Sequence, residues 1–229
     1  SQDLYDHYDR YFTMAARGFE SGLLDLSEST NGKMQGSEKT VLELMADLGL
    51  RKVIPVGHSM GGKVAMWLAL NHPDRVEKLV VVDIAPVRYQ GGLKDLLDAM
   101  LALPLEKIGK RGEADAWLKA KIPDAAVRAY LLQNLVRTEG GWRWRANLKA
   151  LRDGLHLISD FPEPVRKGGY PGPALFIHGS RSDYLEPKHL PRTRQLFPNL
   201  ELVALDAGHW VYAEQAEEFL RVLRGFLDA

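Results

Sequence analysis

The sequence predicts an α/β protein: a mostly parallel sheet flanked by helices, with a helical cap inserted into it. Three observations carry this prediction. Short aliphatic runs without polar alternation, KVIPV (52–56), KLVVVD (78–83), PALFIH (173–178) and LELVAL (200–205), suit strands buried on both faces of a parallel sheet. Helical periodicity separates them, which means βαβ units with right-handed crossovers. One interval, residues 84–172, is far too long for a loop in a compact sheet.

In chain order, nothing before position 20 resembles a hydrophobic strand; ESGLLDL (20–26) could be one, and 27–37 is a polar loop. Val41, Leu44, Met45 and Leu48 fall at i, i+3, i+4 and i+7 of a helix that Gly49 stops. Val64, Ala65, Trp67 and Leu68 begin another helix, which must end before Pro73. The 84–172 interval carries helical patterns at 93–103, 112–120, 124–137 and 145–159, and reads as the cap. Ala216, Phe219, Leu220, Leu223 and Phe226 give the C-terminal helix its core stripe. The expected organisation is a core of 1–83 and 173–229 with 84–172 inserted.

Composition narrows the functions. Thirty Lys and Arg cancel thirty Asp and Glu in 229 residues, so the basic surplus of a nucleic-acid binder is missing. No apolar run approaches the ~18 residues that span a bilayer, and the polar start SQDLYDHYDR is no secretory signal. With no cysteine there are no disulfides, thiolate metal sites or cysteine nucleophile. HExxH and EF-hand patterns are missing too, so neither a metal nor a cofactor is expected. The expectation is a neutral, cytoplasmic protein with no nucleic-acid or membrane partner.

The strongest signal is VIPVGHSMGGKVAM, in which Gly57-His58-Ser59-Met60-Gly61 matches G-x-S-x-G between a strand and a helix. With 21 Gly and 9 Ser, the bare pattern arises by chance about 0.07 times in such a chain. A sharp turn there strains the serine backbone, glycines leave space for neighbouring chain, and the Met60 N–H at the helix start faces a developing oxyanion. The bland alternative is an N-capping serine in a glycine-rich turn. Gly57-x4-Gly62-Lys63 also mimics a phosphate loop, but Val64 stands where Ser or Thr must ligate magnesium.

A serine nucleophile needs a base, and seven histidines are available. His209, in LVALDAGHWVYAEQ, follows the last strand and precedes the last helix, at the carboxyl edge where sites of such sheets assemble. The order Ser…Asp…His also favours it. His58 adjoins the serine in sequence but points away from it.

VGHSMGGKVAM, VVVDIAP, GGWRWRANLKAL, FIHGS and DAGHW together resemble the α/β-hydrolase superfamily, and more narrowly the small bacterial YbfF-type esterases and thioesterases. The resemblance runs from about Leu42 to the C-terminus and implies the α/β-hydrolase fold, Ser59 as nucleophile and His209 as base. For the acid it leaves two positions. The common superfamily pattern G-x-x-D follows PALFIH, where this chain has Gly179-Ser180-Arg181-Ser182-Asp183: Ser182 occupies the place and Asp183 comes one residue late. In the YbfF-type branch the acid ends the earlier strand, which matches Asp83, 24 residues after Ser59. The family also carries an HG dipeptide whose loop donates a second oxyanion N–H. No HG precedes Ser59, so that donor is unassigned; DLYDHYDRYFTMAARGF (3–19) loosely resembles the helix after that loop.

The cap holds Trp117, Trp142 and Trp144, with Arg143 and Arg145 interleaved; the WRWR stretch resembles a cap helix of the YbfF-type branch. Packing of the cap is the plainer role for these rings than a substrate wall. His58, Trp144 and Trp210 are the candidates for substrate contact. The expected activity is cleavage of an acyl ester or thioester through an acyl-serine. The rivals are cofactor-free lyase or perhydrolase chemistry on the same fold, and a non-catalytic ligand binder.

Overall fold

The computed structural model of the protein describes residues 41–229. The possible strand at 20–26, the loop at 27–37 and the helix-like 3–19 segment lie outside them. In chain order the strands are β1 (Val56–His58), β2 (Leu79–Val82), β3 (Leu135–Thr138), β4 (Gly141–Trp144), β5 (Ala174–Gly179) and β6 (Leu200–Leu205). After a helical stretch at 41–47, the helices are α1 (Met60–Asn71), α2 (Leu93–Leu101), α3 (Arg111–Leu118), α4 (Ala125–Leu132), α5 (Leu148–Asp153), α6 (Leu155–Ile158), α7 (Leu190–Leu196), α8 (Val211–Glu214) and α9 (Ala216–Asp228). The chain divides into two compact units, residues 41–88 with 160–229, and residues 89–159.

Among the described residues, the first unit holds a four-stranded sheet of order β1-β2-β5-β6, every pair parallel. All four residues of β2 are buried, as expected of a Val-rich central strand covered on both faces. One face, Val80, Val82, Leu175 and Ile177, packs against Phe219, Leu223 and Phe226 of α9, the stripe read from the sequence. Helix α1 covers the opposite face, where a Cβ on Gly62 would lie 3.2 Å from Val81 Cγ1. Phe176 on that face meets Phe197, with ring centroids 5.4 Å apart. Gly49, at φ +66°, ends the 41–47 helix as predicted.

The first strand differs from its expected span. Residues 52–55 contribute only an isolated bridge from Val53 to Val76, and the ladder itself runs Val56–His58. Pro55 is the physical reason: it offers a carbonyl, taken by Val80 N at 3.0 Å, but no N–H.

The second unit has its own core of Ala114, Leu118, Leu132 and Leu135, with Trp117, Trp142 and Trp144 packed against it. It is not all helical. Residues 135–137, at the end of the expected 124–137 helix, pair as part of β3 with β4 in an antiparallel hairpin, with Leu135 opposite Trp144 and Arg137 opposite Trp142. Trp142 and Trp144 therefore share one face and Arg143 takes the other, a period of two. The two-residue loop Glu139-Gly140, just beyond the expected helix end at 137, closes the hairpin. These strands do not join the parallel sheet.

Residues 84–88 and 160–172 group with the sheet. Ala85 is buried, Ile84 lies under α1, Phe161 meets Trp67 at 6.0 Å, and buried Tyr170 donates to Val76 O.

Candidate active site

The site is assembled at the carboxyl ends of β1, β2 and β5 and in the loop after β6. At the end of β1 the chain turns sharply into α1. Ser59 sits in that turn at φ 53°, ψ −121°, a conformation that L-residues avoid. Its N–H donates to Val82 O at 3.0 Å, which ties the turn to the end of β2. The hydroxyl does not cap the helix. That removes the bland role, and leaves a strained, half-buried serine at a helix N-terminus.

The turn is possible because of two glycines. A Cβ on Gly57 would lie 2.3 Å from Gly61 O, and one on Gly62 would lie 2.6 Å from Ile84 Cγ2. Gly61, the last residue of the G-x-S-x-G pattern, would meet nothing within 4 Å. Close packing of strand and helix thus rests on Gly57 and Gly62. Met60 opens α1, and its N–H is one of the four that a helix start leaves without an intrahelical acceptor. Lys63 is only 3% exposed and donates to Asp160 O at 3.0 Å. Burial lowers its pKa to about 8, against the opposing pull of Asp160. Such an amine joins helix to loop and does not reach for phosphate.

Asp83 ends β2 at φ 52° with its side chain fully buried. A buried carboxylate must have its lone pairs satisfied, and three donors do so. Gly179 N donates to Oδ1 at 3.0 Å, while Ser182 Oγ and His209 Nδ1 both donate to Oδ2, the latter at 2.7 Å. Asp183 is exposed. From this loop it is Ser182, at the position where the common superfamily pattern carries its acid, that reaches the Asp83 carboxylate.

His209 is 20% exposed and held on several sides. Tyr184 stacks on its ring at 4.2 Å, His58 packs at 4.5 Å, and Trp210 meets it edge-on at 5.8 Å. Burial and the Asp83 charge raise the Tyr184 pKa, keeping the phenol neutral. The loop beneath is braced by Glu214, which accepts from Gly208 N at 3.0 Å and from Arg181 at 2.9 Å; Arg181 also pairs with Asp206. A Cβ on Gly179 would lie 2.2 Å from Gly208 O, so glycine alone lets β5 approach the histidine loop this closely.

The structure therefore brings His209, Asp83, His58 and Trp210 into one cluster beside the Ser59–Met60 turn. Asp183 lies outside it. Trp144 belongs to the other unit and donates its indole N–H to Met100 O at 3.1 Å. Sequence reasoning missed Tyr184, which has no motif of its own. Ser182 was visible only as the wrong residue at a known acid position.

A parallel sheet with a strained serine at a strand–helix turn and a histidine–aspartate pair at the same edge defines a class of protein, and the family comparison agrees. Residues 38–216 match the family model described as "alpha/beta hydrolase fold", and the chain belongs to that family. It is 38% identical over 210 residues to the mouse sn-1-specific diacylglycerol lipase ABHD11, covering 89% of this chain and 68% of that protein. It covers 62% and 61% of the Xenopus laevis and Xenopus tropicalis counterparts. It is 34% identical over 176 residues to the Escherichia coli esterase YbfF, covering 76% of this chain and 66% of that protein. Among solved structures it resembles a marine microorganism esterase, with a TM-score of 0.80, 31% identity, and coverage of 87% of this chain and 79% of that one. Among the described residues, no helix is long and apolar enough to cross a membrane.

Proposed function

We propose that this protein is a serine hydrolase that cleaves carboxylic or thio esters of small acyl compounds through an acyl-serine intermediate. The observation that carries the proposal is the 2.7 Å contact of His209 Nδ1 with the buried carboxylate of Asp83, beside the strained Ser59 turn. Relatives named as esterases and lipases support the ester as substrate class.

Asp83, acting as a carboxylate, accepts the Nδ1–H of His209 and so leaves the Nε2 lone pair to serve as base. The Ser59 hydroxyl proton passes to Nε2 as Oγ attacks the acyl carbon. The oxyanion accepts the Met60 N–H. Collapse breaks the acyl–oxygen or acyl–sulfur bond, and the leaving alcohol or thiol takes the proton from Nε2. Water then repeats the sequence on the acyl-serine and restores the free enzyme. The proton that leaves with the alcohol or thiol is replaced from the attacking water, so this cycle calls on no cofactor.

The domain division into a core of 1–83 and 173–229 and a cap of 84–172 is part of this proposal. The separate compactness of residues 89–159 supports it. So is a cytoplasmic setting, in keeping with the lack of cysteine. Hydrolysis of p-nitrophenyl esters of rising acyl length, by the parent protein and by Ser59→Ala, tests the proposal. The parent turns over short esters and the variant loses about 10⁴-fold or more. Equal rates for the two would overturn it.

A further inference from the structure

We infer that His58 is a positioning residue, whose Nε2–H holds the backbone of His209 and thereby aims the general base. This rests on the reading above, in which His209 is that base.

His58 ends β1 and is paired there with Val82 of β2, so it is carried by the sheet and not by a loop. Its Nε2 lies 2.9 Å from the backbone carbonyl oxygen of His209, 151 residues away in the chain. A carbonyl can only accept, so Nε2 carries the proton and donates. The His58 ring packs on the His209 ring at 4.5 Å and meets Tyr212 of α8 edge-on at 5.1 Å.

Among the described residues, His209 is tied to the sheet by two hydrogen bonds. Asp83 fixes the ring through Nδ1, and His58 fixes the main chain through the carbonyl. The Asp83 bond fixes only Nδ1, and the stacked Tyr184 ring limits tilt but not sliding of the imidazole in its own plane. Two bonds to adjacent strands, β1 and β2, define where Nε2 points.

The donor also has to stay uncharged. A protonated His58 would face the His209 imidazolium that forms during the reaction. Burial, followed by the proximity of His209, lowers the His58 pKa to about 4, and this keeps it neutral at working pH. The residue x of G-x-S-x-G thereby gains a stated job here: a neutral N–H donor at the second ring nitrogen.

The test uses two amides that differ only in reach. Glutamine places its amide nitrogen near the position of Nε2, whereas asparagine stops near Nδ1, short of the His209 carbonyl. Steady-state kinetics on p-nitrophenyl butyrate are measured for parent, His58→Gln, His58→Asn and Ser59→Ala, with melting temperatures alongside. The expected result is a kcat for His58→Asn about 10- to 100-fold below parent with KM within about 2-fold, from misplacement of the base by a fraction of an ångström to an ångström. His58→Gln recovers to within about 3-fold of parent. Equal kcat values for the Gln and Asn variants, or losses that simply track melting temperature, would overturn the inference. A Ser59→Ala variant as active as parent would sink the hydrolase reading itself, a separate and recognisable failure.

Discussion

Replacing Asp83 by asparagine should disable the site while leaving the fold largely in place. In the parent, Oδ1 accepts from Gly179 N, and Oδ2 accepts from both Ser182 Oγ and His209 Nδ1. An asparagine keeps one acceptor. The Gly179 N–H is fixed by the backbone and claims it, so the amide NH₂ turns toward Ser182 and His209. Ser182 can rotate its hydroxyl and accept. His209 can accept only by giving up the Nδ1 proton, which moves to Nε2, and a protonated Nε2 cannot take the Ser59 proton. The same tautomer reversal costs about 10⁴ in kcat in a serine protease, or about 5 kcal/mol at 1.36 kcal/mol per tenfold. Stability should fall by only about 1–3 kcal/mol, because the shape is conserved and only the polarity of buried partners changes. Asp183→Asn, on an exposed residue, should stay within about 3-fold of parent. The assay is kcat on one p-nitrophenyl ester for both variants, with urea unfolding for each. A near-normal Asp83→Asn beside a crippled Asp183→Asn would refute the reasoning.

Gly62→Ala should destabilise the protein by about 1–3 kcal/mol in urea unfolding, since its Cβ would sit 2.6 Å from Ile84 Cγ2 and 2.9 Å from Gly57 O. Gly61→Ala, with nothing within 4 Å, should leave stability unchanged or slightly raised. Lys63 has a folded pKa of about 8 against an ordinary 10.5, so between those values the unfolded chain binds more protons and stability rises with pH. Parent stability relative to Lys63→Met should therefore climb by up to about 3 kcal/mol from pH 8 to 10.5, read from urea curves at each pH. A flat difference would mean that the amine is not held in a desolvated site. Tyr184→Ala, which removes the ring stacked on His209 at 4.2 Å, should lower kcat by about 10-fold while Ser59 still reacts with a fluorophosphonate.

Much of this was legible in the residues, for identifiable reasons. The aliphatic runs of β2, β5 and β6 announced themselves because both faces are buried, and α9 because one face is. The serine turn and His209 were legible because a strained turn and a strand-edge loop need particular residue types in particular places. Asp83 and Asp183 could not be separated by pattern. What distinguishes their surroundings is three donors converging on the Asp83 carboxylate, two from the end of β5 and the turn after it and one from the His209 loop, both distant from Asp83 in the chain. In the hairpin, residues 135–137 carry the tail of a helical pattern that starts at 124, and the alternation of Trp and Arg in WRWR is too short a run to mark a strand beside the resemblance to a cap helix. Tyr184 and the His58–His209 bond were illegible, since ring stacking and a hydrogen bond across 151 residues leave no periodic trace.

The central claim is that Ser59 becomes covalently acylated during turnover. The most direct measurement is intact mass followed by peptide mapping, after brief reaction with a p-nitrophenyl ester and acid quench, and in parallel with a fluorophosphonate. The account predicts one added acyl or phosphonyl group per chain, mapped to the peptide holding Gly57-His58-Ser59-Met60-Gly61, and none on Ser59→Ala. Ester turnover by the parent with no adduct at Ser59, or an unchanged adduct on the alanine variant, would contradict it.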